Sequence, residues 1–177
     1  MKYSHFEVDK ALDDMRIIAD TREQDTAAFR KRFAACVPSP EILRRKLDFG
    51  DYTADTTIGN DIVSLAETAV IERKMSLDEL AMCFGRERGR FEREFLRAKS
   101  AGARIYLLVE NASWENLLAG KYRSKLPPKA FAASLAAWTA RYDLVPVFCK
   151  AEISGRIIAL ILRYELRNLL ERNEVNG

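Results

Sequence analysis

Two spacings of apolar side chains take turns along the chain. Short β-prone runs alternate with longer stretches that place apolar residues three and four apart. Residues 15–19 form the first short run, which ends at Asp20, and Thr21-Arg22-Glu23-Gln24 reads as a turn. Asp25 or Thr26 caps a helix to about residue 36, with Phe29, Phe33 and Cys36 on its apolar face, and Pro38 and Pro40 end it. Residues 41–49 read as a strand broken by Gly50. Residues 52–58 and 62–65 flank Gly59-Asn60 and pair as a hairpin. The strand 69–74 follows, and Ser76 with Glu79 three residues on opens a helix over 77–84. Further helices are expected over 88–100, 114–118, 128–142 and 153–172, with strands over 103–109 and 145–149. Residues 1–14 show no clear period and read as an N-terminal arm, followed by a single domain over 15–177. Strands apolar throughout, alternating with helices, predict an α/β fold: a central mixed β-sheet flanked by helices on both faces.

Composition adds a few limits. At 177 residues, with 48% hydrophobic and 31% charged residues, the chain has the size and make-up of one soluble globular domain. Its longest apolar run, near residues 157–162, is far too short to span a bilayer, and the first residues carry no apolar signal region, so no membrane role is expected. Cys36, Cys83 and Cys149 are scattered, which fits a reducing, cytoplasmic compartment and no structural zinc site. His5 is the single histidine, so any hydrolysis must run on carboxylates, lysine and a hard cation. The net charge of +3 is uneven: residues 86–104 and 121–129 each carry +4, and the rest of the chain is net acidic. Two basic zones on an acidic body suggest a localised polyanion-binding surface.

The chemistry centres on Ala69-Val70-Ile71-Glu72-Arg73-Lys74. Alternation along a strand puts Val70, Glu72 and Lys74 on one face and Ile71 and Arg73 on the other. A carboxylate and an ammonium two residues apart on one face suit a metal ion and its water. Asp51, after Gly50, supplies a second carboxylate, and Asp51 and Glu72 are the leading metal ligands, with Lys74 placed to orient water or steady developing charge. Asp20 and Glu23 stand where the first strand ends; they are either site residues or simple helix-start residues. Asp78 either faces the site from the next helix or only favours that helix's N-terminus. In 86–97, Arg86, Arg90, Arg93 and Arg97 share a helix face opposite Phe91 and Phe95, as either a phosphate-binding face or a solvated one. Lys121, Arg123 and Lys125 make a basic loop, either a DNA contact or a solvated turn, and the terminal helix carries more apolar surface than one core face needs (Ile153, Ile157, Leu160, Ile161 and Tyr164, widened by Leu162, Leu166 and Leu169), as either a homodimer surface or a helix buried deeply in one domain.

Together Asp20-Thr21-Arg22-Glu23, Gly50-Asp51-Tyr52, Ile71-Glu72-Arg73-Lys74 with Asp78, Gly89-Arg90-Phe91 and Val109-Glu110 resemble the nuclease domain of the XPF-type structure-specific endonucleases. The family signature of GD, a variable gap, ERK, three residues and D is present in order, and the similarity covers roughly residues 15–150. The chain looks closest to short stand-alone bacterial or phage members. The resemblance implies a restriction-endonuclease-like core and Mg²⁺- or Mn²⁺-dependent cleavage of branched or flapped DNA, in repair, recombination or replication. It implies active-site roles for Asp20, Glu23, Asp51, Glu72, Lys74 and Asp78, with Asp20 joining Asp51 and Glu72 on the metal, and DNA-contacting roles for Arg22, Arg73 and Arg90. Two departures stand out: Arg88 replaces an aspartate common before the glycine-arginine pair, and no helix-hairpin-helix or helicase segment is expected within this sequence. A catalytically silent DNA-binding subunit on the same fold and a restriction or recombination exonuclease are the alternatives.

Overall fold

The computed structural model describes residues 3–172; Met1 and Lys2 of the expected arm, and residues 173–177, lie outside the described residues. Within them, β1 (Arg16–Asp20), β2 (Glu41–Arg45), β3 (Tyr52–Ile58), β4 (Asp61–Ser64), β5 (Ala69–Lys74), β6 (Arg104–Glu110) and β7 (Val145–Cys149) form one mixed sheet. Its order is β2-β1-β3-β5-β6-β7, with β4 paired to β3. β1 and β2 are parallel, as are β5, β6 and β7; β3 runs against β1, β4 and β5. β3 and β4 are the expected hairpin. The central mixed sheet with helices on both faces is the predicted architecture.

One face is covered by α1 (His5–Asp13), α2 (Ala27–Arg32) and α7 (Ser154–Arg172). Leu12, Phe29, Ile158, Leu162, Leu166 and Leu170 pack there against Ile17, Tyr52, Ile71 and Leu108. The other face is covered by α3 (Leu77–Phe84), α4 (Arg88–Ser100), α5 (Trp114–Leu118) and α6 (Pro128–Tyr142). Leu80, Phe91, Phe95, Phe131 and Trp138 pack there against Val70, Ile105, Leu107 and Val109. The strict alternation of Val70 and Ile71 between the two cores sends Glu72 toward α3 and α4 and Arg73 toward α2 and α7.

Three boundaries differ from the sequence reading. The N-terminal segment read as an arm is a helix over residues 5–13, with a Ser4–Glu7 capping box and Val8, Ala11 and Leu12 buried. Leu12 is fully buried, so truncating it to alanine would cost about 2–5 kcal/mol. β2 stops at Arg45 rather than reaching residue 49, because the Asp20 carboxylate takes the Leu47 N–H at 2.6 Å in place of a ladder partner. α2 ends at Arg32, and the chain continues through turns that still bury Phe33 and Cys36.

Candidate active site

β3 and β5 share a single residue pair, Tyr52 with Ile71, and the candidate site lies at that join. Gly50 turns the chain into β3 with φ of +74°, a conformation that favours glycine; a Cβ there would also lie 2.9 Å from the Val70 side chain. The Gly50 N–H donates to Glu94 Oε1 at 2.9 Å, from α4. The Asp51 N–H donates to the Ile71 carbonyl at 2.8 Å, and Asp51 Oδ2 accepts the Arg73 N–H at 2.7 Å. The Asp51 carbonyl accepts the Asp20 N–H at 2.8 Å. Four residues from two strands, β1 and β5, and the helix α4 thus fix where Gly50 and Asp51 sit.

Glu72 and Lys74 lie on one face of β5, with Lys74 Nζ 2.5 Å from Glu72 Oε1. The ammonium also stands 5.0 Å from the centroid of the Phe91 ring. The phenylalanine of Gly89-Arg90-Phe91 is therefore a floor beneath Lys74. Burial pushes the carboxyl groups of Asp51 and Glu72 well above the usual carboxylate range, and each is further raised by nearby negative charge, Glu94 included. Burial works against the Lys74 charge, but the Glu72 and Asp51 carboxylates outweigh it and raise the ammonium above its ordinary value.

This donor set fits a divalent cation. Among the described residues no three Asp, Glu, His or Cys side chains form a ready-made cage. Mg²⁺ does not need one: it binds through one or two carboxylates and keeps several waters. Two mutually repelling carboxylates, Glu72 buried and Asp51 half-buried, are the kind of oxygen pair that a hard cation relieves.

The other expected residues are placed around this centre in different ways. Asp20 is fully buried, and its oxygens are taken: Oδ1 accepts the N–H of Arg22 at 2.7 Å and its Nε at 2.6 Å, and Oδ2 holds Leu47. Burial alone would raise Asp20; these donors outweigh it and hold it low. Asp20 thereby ties together the Arg22 and Leu47 turns. Arg22 remains half-exposed and reaches within 3.9 Å of Glu94. Glu23 accepts from the Tyr52 hydroxyl at 2.7 Å and lies 3.5 Å from Arg32 Nη1.

Arg73 does not face solvent as a DNA contact would. It is bound bidentately to Glu110 at 2.8 Å and 2.8 Å, and only 10% of its side chain is exposed. Strand alternation sends it to the α2–α7 side, where Glu110 neutralises it. The Asp78 oxygens are held by residues 123 and 124. Arg90 is exposed and pairs with Glu87 at 2.7 Å; Lys121, Arg123 and Lys125 are exposed.

Two residues with a part in the site escaped the sequence reading. Glu94 adds a third negative charge beside Asp51 and Glu72; its position three after Phe91 on α4 was the available sign. Arg32, with 6% of its side chain exposed, donates to the Tyr52 hydroxyl at 2.5 Å and lies 3.6 Å from Glu110. It joins Glu23, Tyr52, Glu110 and Arg73 into one buried charged network behind β5. No local pattern announces it. Gly155 of α7 sits so close that a Cβ would fall 1.8 Å from the Arg32 carbonyl oxygen.

The ERCC4 domain family matches residues 19–165. No curated protein matches the chain in sequence. Among solved structures, XPF from Aeropyrum pernix superposes with a TM-score of 0.61 at 18% identity, over 85% of this chain and 61% of the other. The same protein in complex with DNA gives a TM-score of 0.57 at 18% identity, over 92% of this chain and 68% of the other. This chain thus spans a little under two thirds of the first of those chains, and the likeness is one of fold.

Proposed function

Because this chain belongs to the ERCC4 domain family, we propose that it is a metal-dependent DNA endonuclease acting on branched, flapped or otherwise structured DNA. The observation that carries this reading is the packing of Asp51, Glu72 and Lys74 against one another at the join of β3 and β5. Asp51 and Glu72 would hold Mg²⁺ or Mn²⁺. Such an ion, when bound, polarises a phosphate oxygen and acidifies a water. Lys74 presents donors only, so it orients the attacking water or stabilises charge developing on the phosphate. Glu72 keeps the ammonium in place, and Phe91 limits where it can move. Asp20 and Glu23 support the site by fixing the turn after β1. Arg22 is an accessible cation beside it, and Arg90 is an exposed cation on α4.

The outer stripe of α7 is proposed as a homodimer surface. The helix buries Ile158, Leu162, Leu166 and Leu170, which leaves Ile153, Leu160 and Tyr164 exposed and Ile157 and Ile161 half-covered. No helix of the described residues is long and apolar enough to cross a membrane. The test of the whole reading is a cleavage assay on plasmid, flap and linear DNA with Mg²⁺ or Mn²⁺. Nicking or flap cleavage abolished by Glu72→Gln supports it. DNA binding without cleavage under either cation, or cutting from ends only, would replace it with the silent subunit or the exonuclease.

A further inference from the structure

Asp78 has no part in capping its own helix. The Ser76 hydroxyl accepts the Glu79 N–H at 3.3 Å and Glu79 accepts the Met75 N–H at 2.7 Å, so the first turn of α3 is served without it. The Asp78 carboxylate reaches instead to a segment 45 and 46 positions on. Its Oδ1 accepts the Arg123 N–H at 2.6 Å and the Ser124 N–H at 2.9 Å, and its Oδ2 accepts from Arg123 Nε at 3.3 Å. Burial tends to raise this carboxyl, but the donors from residues 123 and 124 outweigh it and hold it low.

The segment so held is built as a ridge. Gly120 turns into it with φ of +67°. Lys121, Arg123 and Lys125 point outward, while Tyr122, Ser124 and Leu126 between them are half-buried. Tyr122 packs edge-on against Phe131 at 5.3 Å and donates its hydroxyl to the Leu126 carbonyl at 2.7 Å. No acidic side chain occurs from 121 to 129. The chain bends at residues 122–124, and all three basic side chains stay exposed across the bend. The Arg123 side chain is 93% exposed, so its remaining donors stay free.

We propose that residues 121–125 form a basic ridge that binds the phosphates of one nucleic-acid strand. Asp78 is the positioning residue that latches this ridge to α3, directly after the Glu72–Lys74 end of β5. The ridge deepens the nuclease reading and rests on it for the strand's destination. The latch itself stands on the contacts.

The test uses the full chain and a short fluorescein-labelled single-stranded oligonucleotide in EDTA, where nothing is cut. Anisotropy gives affinity against salt, and hydrogen exchange reports the 119–126 segment. Lys121→Ala, Arg123→Ala and Lys125→Ala together should flatten the slope of log affinity against log salt by about 2, as expected for three lost phosphate contacts on a single strand. Asp78→Ala should expose the segment to exchange and weaken binding about tenfold. Asp78→Asn, whose amide oxygen still accepts the two N–H groups, should recover most of that. Ser124→Pro removes one donor from the other side of the latch without touching α3 and should reproduce part of the Asp78→Ala defect; because it also removes the Oγ that accepts the Leu126 N–H, exchange in this variant is read over residues 119–123. In a single-turnover cleavage titration the Asp78→Ala loss should fall on the half-saturating DNA concentration and not on the saturated rate. An unchanged salt slope in the triple variant overturns the ridge. Wild-type exchange in both Asp78→Ala and Ser124→Pro, or a fallen saturated rate at unchanged affinity, overturns the latch. A wild-type protein that cuts no DNA defeats the nuclease reading alone, since the binding and exchange results need no cleavage.

Discussion

The carboxylate of Asp51 accepts the backbone N–H of Arg73 at 2.7 Å, so a residue at the entrance to β3 holds the chain between Glu72 and Lys74. Asp51 therefore has two separable jobs, a charge and an acceptor. Asp51→Asn keeps an acceptor and should fold normally while losing cation affinity and cleavage together. Asp51→Ala leaves the Arg73 N–H without its partner and should cost a further 1–3 kcal/mol or so of stability. Mn²⁺ titration and thermal melts on both variants check this; equal Mn²⁺ affinity in Asp51→Asn and wild type would remove Asp51 from the ligand set.

Lys74 should separate binding from chemistry. Lys74→Ala is expected to retain cation-dependent DNA binding and to lower single-turnover cleavage by about two to four powers of ten. Ca²⁺ should support binding in wild type without efficient cleavage, because it takes more ligands at looser distances. Cleavage by Lys74→Ala at the wild-type rate would make the residue a bystander.

The buried carboxylates set a pH dependence of known sign. Glu72 is raised from its ordinary 4.5 to about 8, chiefly by burial and then by Asp51. Its protonated form stabilises the metal-free protein, fully below the ordinary value, and that contribution is lost as pH rises through about 8. Asp51 acts in the same direction; Asp20 and Glu110, held low by their arginine partners against burial, lose stability only on the acid side. The melting temperature in EDTA should therefore fall between pH 5 and pH 8, and Glu72→Gln should flatten that fall. A wild-type curve flat across this window would contradict the site's burial.

Glu94 should tune the cation site by charge. Glu94→Gln preserves an acceptor for the Gly50 N–H and removes the negative charge next to Asp51 and Glu72. Mn²⁺ affinity should fall by roughly five- to tenfold, on the order of 1 kcal/mol for one partly screened charge. Wild-type affinity in that variant would restrict Glu94 to holding the turn.

The stripe on α7 predicts a dimer. Sedimentation at micromolar protein should give twice the chain mass, and Leu160→Glu with Tyr164→Glu should return it to one, since both side chains are exposed within the chain itself. A monomeric wild type would leave the stripe as ordinary surface.

Alternation along β5 made the Glu72–Lys74 pair legible: the two had to share a face wherever the strand ended up. The same alternation had already set Arg73 on the opposite face, and a nearby DNA-contacting role for it came only from resemblance to a motif. Helix α1 was legible too, through Ser4-x-x-Glu7 and the spacing of Val8, Ala11 and Leu12, but a short polar segment at the chain start masks its period. Glu94 and Arg32 were not. Their partners lie 44 and 20 positions away, Gly50 for one and Tyr52 for the other, and only the packing of α4 and α2 on the sheet brings them there. Asp78 was ambiguous for a related reason: helix-start acids are common, and nothing local distinguishes one that serves its helix from one that serves a distant loop.

The lone Tyr52–Ile71 pair makes the sheet two panels joined along a short weld, with Asp51 belonging to one panel and Glu72 to the other. An ion shared by both carboxylates would therefore work as a rivet, raising the cost of prying the panels apart as well as equipping the site for chemistry. Occupancy and mechanical integrity would then be one variable: a DNA strand that sheared the panels would loosen such a rivet, and a well-seated rivet would resist the shear.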